Sequence, residues 1–307
     1  MNILDELKQS GKKPVNILHG TDWWTDCDDV VAMRILCRAH EKGLINLKCV
    51  CADAVGRYTA ASIDGFIKSE DIDGIPVGVD KSFSGDDSRC RYQKRLSELP
   101  HTLDNDTCPD SYKLYRKMLW ESDEKCHITE VGFPQIIHQL MVSEPDEICP
   151  LDGMELVKQK VEKIWMMAGD FRGRVHREYN VVATKAGFEA MKFILDNSPV
   201  PVTCLGFEVG ETVITGGKLK DGDTLCNALA DNGHAGGRCS WDPMTVLLAV
   251  IGDEEKAGYE KVCGTAYVDD EGYTIMNKNP DGLHAYVVKK HDDSFYENMI
   301  DEIIESR

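Results

Sequence analysis

Between residues 20 and 30 the chain reads Gly20-Thr21-Asp22-Trp23-Trp24-Thr25-Asp26-Cys27-Asp28-Asp29-Val30, four carboxylates within eight residues. Carboxylates packed this closely oppose one another's ionisation unless a cation compensates. An all-oxygen donor set suits a hard divalent ion such as Ca2+ or Mg2+ and not a soft metal. Helix capping accounts for one or two of these acids, with Asp26 or Asp28 as N-cap and the helix dipole favouring an acid beside it. It does not account for four, with Asp28 and Asp29 adjacent. The glycine and distal glutamate of an EF-hand loop are missing. A phosphatase using Asp26 or Asp28 as nucleophile is a rival. That chemistry wants its acid directly after a strand, and the apolar run Val15 to Leu18, closed by Gly20, is expected to end several residues earlier.

The elements around this cluster alternate. After the strand Val15 to Leu18, a helix is expected from Asp28, with Val31, Ile35, Leu36 and Ala39 on one face and Gly43 as its stop. Strands are expected at Leu47 to Val55, Ile75 to Val79, Ile128 to Val131, Lys163 to Ala168 and Val200 to Phe207. Helices are expected at Ala60 to Lys68, Gln135 to Val142, Met154 to Val161, Ala183 to Leu195, Asp223 to Asn232, Asp242 to Ile251 and Ser294 to Ser306. A late hairpin turns at Asp269-Asp270-Glu271-Gly272. The segment from about Lys81 to Thr107 is charged and irregular, an excursion over the surface with the character of a lid. No repeat or linker divides the chain. This pattern predicts one α/β domain over residues 1–307, with a largely parallel central sheet flanked by helices.

Composition limits the partners. The 307 residues are 42% hydrophobic and 29% charged, enough to bury a sizeable core. Thirty-five basic against fifty-three acidic side chains give a net charge of −18. That balance argues against a nucleic-acid footprint and against anionic membrane surfaces. Met1 to Lys13 lacks an apolar signal core, and no run approaches a membrane span. The twelve cysteines form no CxxC pair; Cys49 and Cys51 alternate in a strand-like run. They read as free, mostly buried thiols in a reducing cytoplasm rather than as zinc ligands.

The segment Val15 to Ala32, a strand followed by TDxxxDxDD and a helix, resembles the N-terminal signature of the nucleoside hydrolase family, inosine-uridine preferring type. Three further segments follow in that family's order. Val131-Gly132-Phe133-Pro134-Gln135 is similar to the glycine-proline loop that gives a backbone carbonyl to calcium. Met166-Met167-Ala168-Gly169 followed by Glu178-Tyr179-Asn180 resembles the family's Met-Gly-Gly strand end and Glu-Phe-Asn ribose motif. Ser240-Trp241-Asp242-Pro243 resembles the late His-Asp-Pro motif, whose Asp is the last calcium ligand. The chain departs from the common DxDxGxDD signature by two extra positions between Asp22 and Asp28 and fits the longer form. Tyr179 stands for Phe and Gln135 for Thr. Trp241 stands for the histidine that in many members helps to protonate the departing base.

The resemblance implies a Rossmann-like nucleoside hydrolase fold and a Ca2+-dependent hydrolase of the N-glycosidic bond of ribonucleosides or related ribosides. It implies metal ligands among Asp22, Asp26, Asp29 (bidentate), Gln135 and Asp242, with Asp22 or Asp26 in the first place. Asp28 is the expected general base, with Asp22 also catalytic. Asp53, Glu178, Tyr179, Asn180 and Trp241 are the expected substrate-binding residues. A cytoplasmic homo-oligomer, dimer or tetramer, serving purine or pyrimidine salvage is implied as well. An indole is no acid, so leaving-group help must come from elsewhere. His176 is the first candidate, ahead of His19, His127, His138 and His234. Arg172 and Arg174 lie on the approach to Glu178, where they would meet an anionic substituent such as a phosphate. Two further readings stand beside the first: a hydrolase of a modified or phosphorylated riboside, and a non-catalytic ribose- or metal-binding relative.

Overall fold

Parallel strands covered on both faces read as unbroken apolar runs rather than alternating ones. The first such run, in the computed structural model that describes residues 2–306, is β1 (Val15–Thr21), buried from Ile17 onward. β2 (Ile45–Ala52) lies against one side of it and β3 (Val77–Val79) beyond that. On the other side come β4 (Cys126–Glu130), β5 (Val161–Met167) and β6 (Val202–Leu205), all parallel. β7 (Ile214–Thr215) and β8 (Arg238–Cys239) form a separate antiparallel pair. The chain ends its sheet with β9 (Tyr259–Val268), β10 (Thr274–Lys278) and β11 (His284–Lys289), where β11 pairs parallel with β6 and antiparallel with β9. The nine-stranded order is β10-β9-β11-β6-β5-β4-β1-β2-β3, and only β9 runs against the others.

This is the largely parallel, helix-flanked sheet that the alternating pattern implies. β9 and β10 are the two strands of the expected late hairpin, whereas β11 and the helix Ser111–Trp120 are among the elements that were not expected. β9 alternates buried and exposed positions and carries Glu260 and Lys261, so it lacks the apolar run that marks a doubly covered strand. β1 also runs on to Thr21, three residues past the expected Leu18, and Asp22 therefore follows it directly. Asp26 and Asp28, five and seven residues beyond Thr21, still do not follow the strand directly, so the argument against a phosphatase nucleophile at either stands.

The helix Asp28–Glu41 is buried from Asp28 through Ala39 and packs on the helix Trp241–Ile251. Two arginines within it are clamped by acids from other elements. Arg34 donates to Glu70 at 2.9 Å and to Asp223 at 2.9 Å, and Arg38 reaches Glu70 at 2.8 Å. A buried charge left without such partners is strongly destabilising, so these ties fix where the helix starts. The irregular segment 81–107 contains a 3-10 turn at Asp87–Arg89 and a short helix Gln93–Leu96. It is pinned, not loose: Trp24 Nε1 donates to Asp86 O at 2.9 Å, and Gln93 Nε2 donates to Trp23 O.

The turn after β4 approaches the end of β1 too closely for a side chain. A Cβ on Gly132 would overlap the backbone of Thr21 and Asp22 and the carboxylate of Asp53. Gly132→Ala should therefore destabilise the fold by about 1–3 kcal/mol, the usual range for overpacking. Urea unfolding measures it, and an unchanged midpoint would show that the two turns are not held in contact.

Candidate functional site

The C-terminal ends of parallel strands are where open α/β sheets bind ligands. Here they open into a cavity of about 370 Å3. Asp22, Asp26, Asp28 and Asp29 reach it from the turn after β1, Val131 from the turn after β4, and Met167 from the end of β5. Glu178, Tyr179 and Asn180 form another side, while Phe207, Arg238, Trp241 and Asp242 close it.

Capping explains none of the central acids. Cys27 is the N-cap of Asp28–Glu41 and Ser240 that of Trp241–Ile251, and neither helix has a side-chain cap bond. Carboxylate oxygens of Asp28, Asp29 and Asp242 instead converge within 4.8 Å of one another, all three residues buried. The Asp242 N–H donates to Asp28 Oδ2 at 3.1 Å. Thr21 Oγ1 and the Trp23 N–H, the latter at 3.1 Å, donate to Asp29 Oδ1. Asp29 Oδ2 is buried with no partner among the described residues. Burial, compounded by the neighbouring carboxylates, pushes all three well above the usual carboxylate range. Three converging hard oxygens, one of them orphaned, fit a divalent cation.

Asp22 and Asp26 take different places. Asp26 is held by Arg238 through a two-point ion pair, Nε–Oδ1 2.8 Å and Nη2–Oδ2 2.6 Å. Its charge is answered by protein, and it stands outside the converging trio. Asp22 lies on the cavity wall, its Oδ1 accepting from the Trp24 N–H at 3.3 Å. Trp23 between them takes φ 45°, an uncommon conformation for a bulky residue. Burial first, then Asp26, pushes the Asp22 carboxyl up to about 7.

Glu178 is itself an N-cap. Its carboxylate accepts from the N–H groups of Asn180 at 2.7 Å, Val181 at 3.2 Å and Gly169 at 3.2 Å. Burial raises it to about 7 against the pull of those donors. Asn180 Nδ2 donates to the carbonyls of Val131 at 2.9 Å and Met167 at 3.3 Å.

Two expected residues stand off the wall. Gln135 opens the helix Gln135–Met141, and its Nε2 donates to Asp53 O at 3.0 Å and Asp80 Oδ2 at 3.2 Å. A carbonyl in the first turn of a helix points along the axis into that helix, so Val131 is the loop residue placed to offer one to the cavity. Asp53 is fully buried behind the wall, accepting from the Phe133 N–H at 2.9 Å. It lies beside Glu130, which burial raises to about 8. Both residues shape the turn 131–134 from behind.

Trp241 and Phe207 stack at 5.2 Å and 26°, and the indole Nε1 donates to Phe207 O at 2.7 Å. The wall they make is tight: a Cβ on Gly210 would lie 2.5 Å from Trp241. The residues lining the cavity include no histidine; His176 packs on Phe207 at 4.2 Å. Arg172 and Arg174 are neutralised, by Asp170 and Glu211 and by Asp269 and Glu271 respectively. The cations on the wall are Arg89 and Arg238, which sequence reasoning missed. Arg238 sits two residues before the recognised Ser240 motif; Arg89 lies in a charged, irregular stretch with no local signal.

A parallel α/β sheet with an acid-lined cavity at its strand ends defines an architecture that other solved structures share. The fold is that of the nucleoside hydrolases. The chain superposes on an inosine-uridine preferring nucleoside hydrolase from Bacillus anthracis with a TM-score of 0.71, at 14% identity, over 95% of this chain and 99% of that one. It is similar to the effector protein XOO4466, TM-score 0.67 and 14% identity over 98% and 96% of the two chains. It is similar also to the type III effector XopQ complexed with adenosine diphosphate ribose, TM-score 0.68 and 14% identity over 98% and 97%. No family model and no curated protein matches the sequence. Among the described residues, no helix is long and apolar enough to cross a membrane.

The raised carboxyls make stability depend on pH with a definite sign. Below the ordinary carboxylate range both folded and unfolded chains are protonated. Between about 4 and 7 the folded chain keeps protons that the unfolded chain has lost, so stability falls as pH rises, by about 1.4 kcal/mol per pH unit for each such group. Without divalent ions the melting temperature should fall from pH 5 to pH 7.5, and Ca2+ should raise it more at pH 7.5 than at pH 5. A Ca2+ effect equal at both values would separate the ion from these acids.

Proposed function

We propose that the protein is a Ca2+-dependent hydrolase of the N-glycosidic bond of a riboside. The observation that carries this reading is the convergence of Asp28, Asp29 and Asp242 in the same cavity as Glu178 and Asn180, on a nucleoside hydrolase fold. The complex of XopQ with adenosine diphosphate ribose supports a ribose-containing ligand for the fold.

Asp28, Asp29 and Asp242 would hold the ion, with the Val131 carbonyl as a neutral donor. Bound Ca2+ would supply orientation of the ribose hydroxyls and activation of a water. Asp22 faces the cavity outside that donor set, with one oxygen taken by the Trp24 N–H, and is the carboxylate left to accept the water's proton. Asp28 thereby moves from base to ligand. Asp26 is excluded from both roles by Arg238. Glu178 and Asn180 grip the sugar, and the stacked Phe207–Trp241 pair offers a flat face to the leaving group. The Trp241 N–H is committed to Phe207 O, so it has no proton for a departing base.

One observation favours the non-catalytic reading: no histidine lines the cavity. The two readings part on leaving-group chemistry. A nitrophenyl riboside, which departs without protonation, should be hydrolysed far better than inosine. Asp22→Asn should lower that turnover by about 100- to 10,000-fold, the range for losing a general base, while Ca2+ still binds. Asp242→Asn should weaken Ca2+ binding itself. Ca2+ and ribose binding without hydrolysis of either substrate would establish the silent protein, and full activity in Asp22→Asn would return the base to Asp28.

A further inference from the structure

Every acid on the cavity wall would repel an anionic ligand, so the state of the two wall cations decides what charge the ligand carries. Arg238 is spent on Asp26 and lies over the Trp241 ring at 5.1 Å. Arg89 is different. Its side chain forms no ion pair among the described residues, and its one side-chain hydrogen bond runs from Nη2 to Tyr179 Oη at 2.9 Å. The guanidinium lies over the Trp24 ring at 4.8 Å and the Tyr179 ring at 5.9 Å. The nearest acids in sequence turn elsewhere: Asp87 Oδ1 accepts from the Arg57 N–H at 2.6 Å, and Asp86 accepts from the Ser88 N–H at 2.9 Å and Oγ at 2.8 Å.

The aromatic rings take the face of the guanidinium and leave most of its five N–H donors at the edge unused. An edge presented that way matches two oxygens of a phosphate in a bidentate contact. Its place is set by Tyr179, which stands between Glu178 and Asn180, so the cation sits at the sugar end of the cavity and not at the Phe207–Trp241 end. The 3-10 turn that carries it is fixed through Trp24 Nε1 to Asp86 O, so the guanidinium is held in place before any ligand arrives.

We propose that Arg89 reads a phosphate group carried on the ribose, so that the substrate class is a phosphorylated riboside rather than a neutral nucleoside. This rests on the riboside reading above and adds a charge requirement to it. Arg172 and Arg174, placed for that task by sequence position, are neutralised by their own acids.

Calorimetric titration of the full-length, Ca2+-loaded protein with ribose, ribose 5-phosphate and inorganic phosphate tests it. Ribose 5-phosphate should bind more tightly than ribose, and inorganic phosphate only weakly. Arg89→Gln should reduce the preference for the phosphorylated sugar by about 10- to 100-fold, the worth of a charge-assisted hydrogen-bonding contact. Arg89→Lys should retain part of it, and Arg174→Gln, a cation off the cavity, should retain all of it. Equal loss of both sugars in Arg89→Gln would make Arg89 a clamp on Tyr179 and overturn the proposal. Inorganic phosphate binding as tightly as ribose 5-phosphate would mark a free-anion site and overturn it too. Ribose binding with no gain from the phosphate would sink the Arg89 assignment and leave the riboside reading standing. Failure of both sugars to bind while Ca2+ binds would remove both.

Discussion

Mutual repulsion among buried carboxylates is the constraint around which this molecule is arranged. Asp22, Asp28, Asp29 and Asp242 meet where two helices start beside the end of β1, in a place that excludes most water. Left alone, such a group protonates or pushes its members apart. The fold answers one acid from within, by setting Arg238 on Asp26, and gives three others N–H donors, from Trp24 to Asp22, Trp23 to Asp29 and Asp242 to Asp28. Among the described residues it leaves Asp29 Oδ2 without a hydrogen-bond partner. With three buried carboxylates converging there, that oxygen leaves the trio able to hold a metal ion.

Holding the acids together takes contacts well outside the cavity. Arg34 and Arg38 tie the helix that carries Asp28 and Asp29 to Glu70 and Asp223. Gly132 lets the turn after β4 lie against Thr21 and Asp22, and Asp53 receives the Phe133 N–H of that same turn. Asn180 then bonds the Val131 carbonyl from the ribose side. On the proposed reading, the ion-holding and sugar-facing halves of the cavity would share this one hydrogen bond. A change at Asn180 would be felt at Val131, and the two functions would not be separable by that residue.

The parallel core was legible because doubly buried strands leave apolar runs, and the run from Val15 together with the clustered acids marked where the site would open. β9 spends alternate positions on charge and presents no run, so only the turn at Asp269–Gly272 announced it, and β11 was missed although His284–Val287 is continuously buried. Within the site, the acids, Glu178, Tyr179, Asn180 and Trp241 all reached the wall. Asp53 and Gln135 did not, because strand and helix ends rotate by residue and a motif gives a neighbourhood rather than a direction. The divided fate of Asp22 and Asp26 depends on Arg238, about two hundred residues further on, and no local spacing encodes that pairing.

The same distance effect explains the leaving-group end. A tryptophan at 241 looks in sequence like the loss of a proton donor. In the structure it is a positioned surface: Gly210 makes room for it, Phe207 stacks on it, and the Phe207 carbonyl takes its N–H. Arg238 joins the two ends, since its guanidinium covers the Trp241 ring while its N–H groups neutralise Asp26. A flat aromatic wall offers no acidic proton, only dispersion and stacking, and on the proposed reading it would favour an aglycone that is already a good leaving group. On the riboside reading proposed above, directional polar recognition would fall to Glu178, Asn180, Tyr179 and Arg89. Selectivity in such a cavity would then come from the ribose and its substituents, and the identity of the base would be secondary.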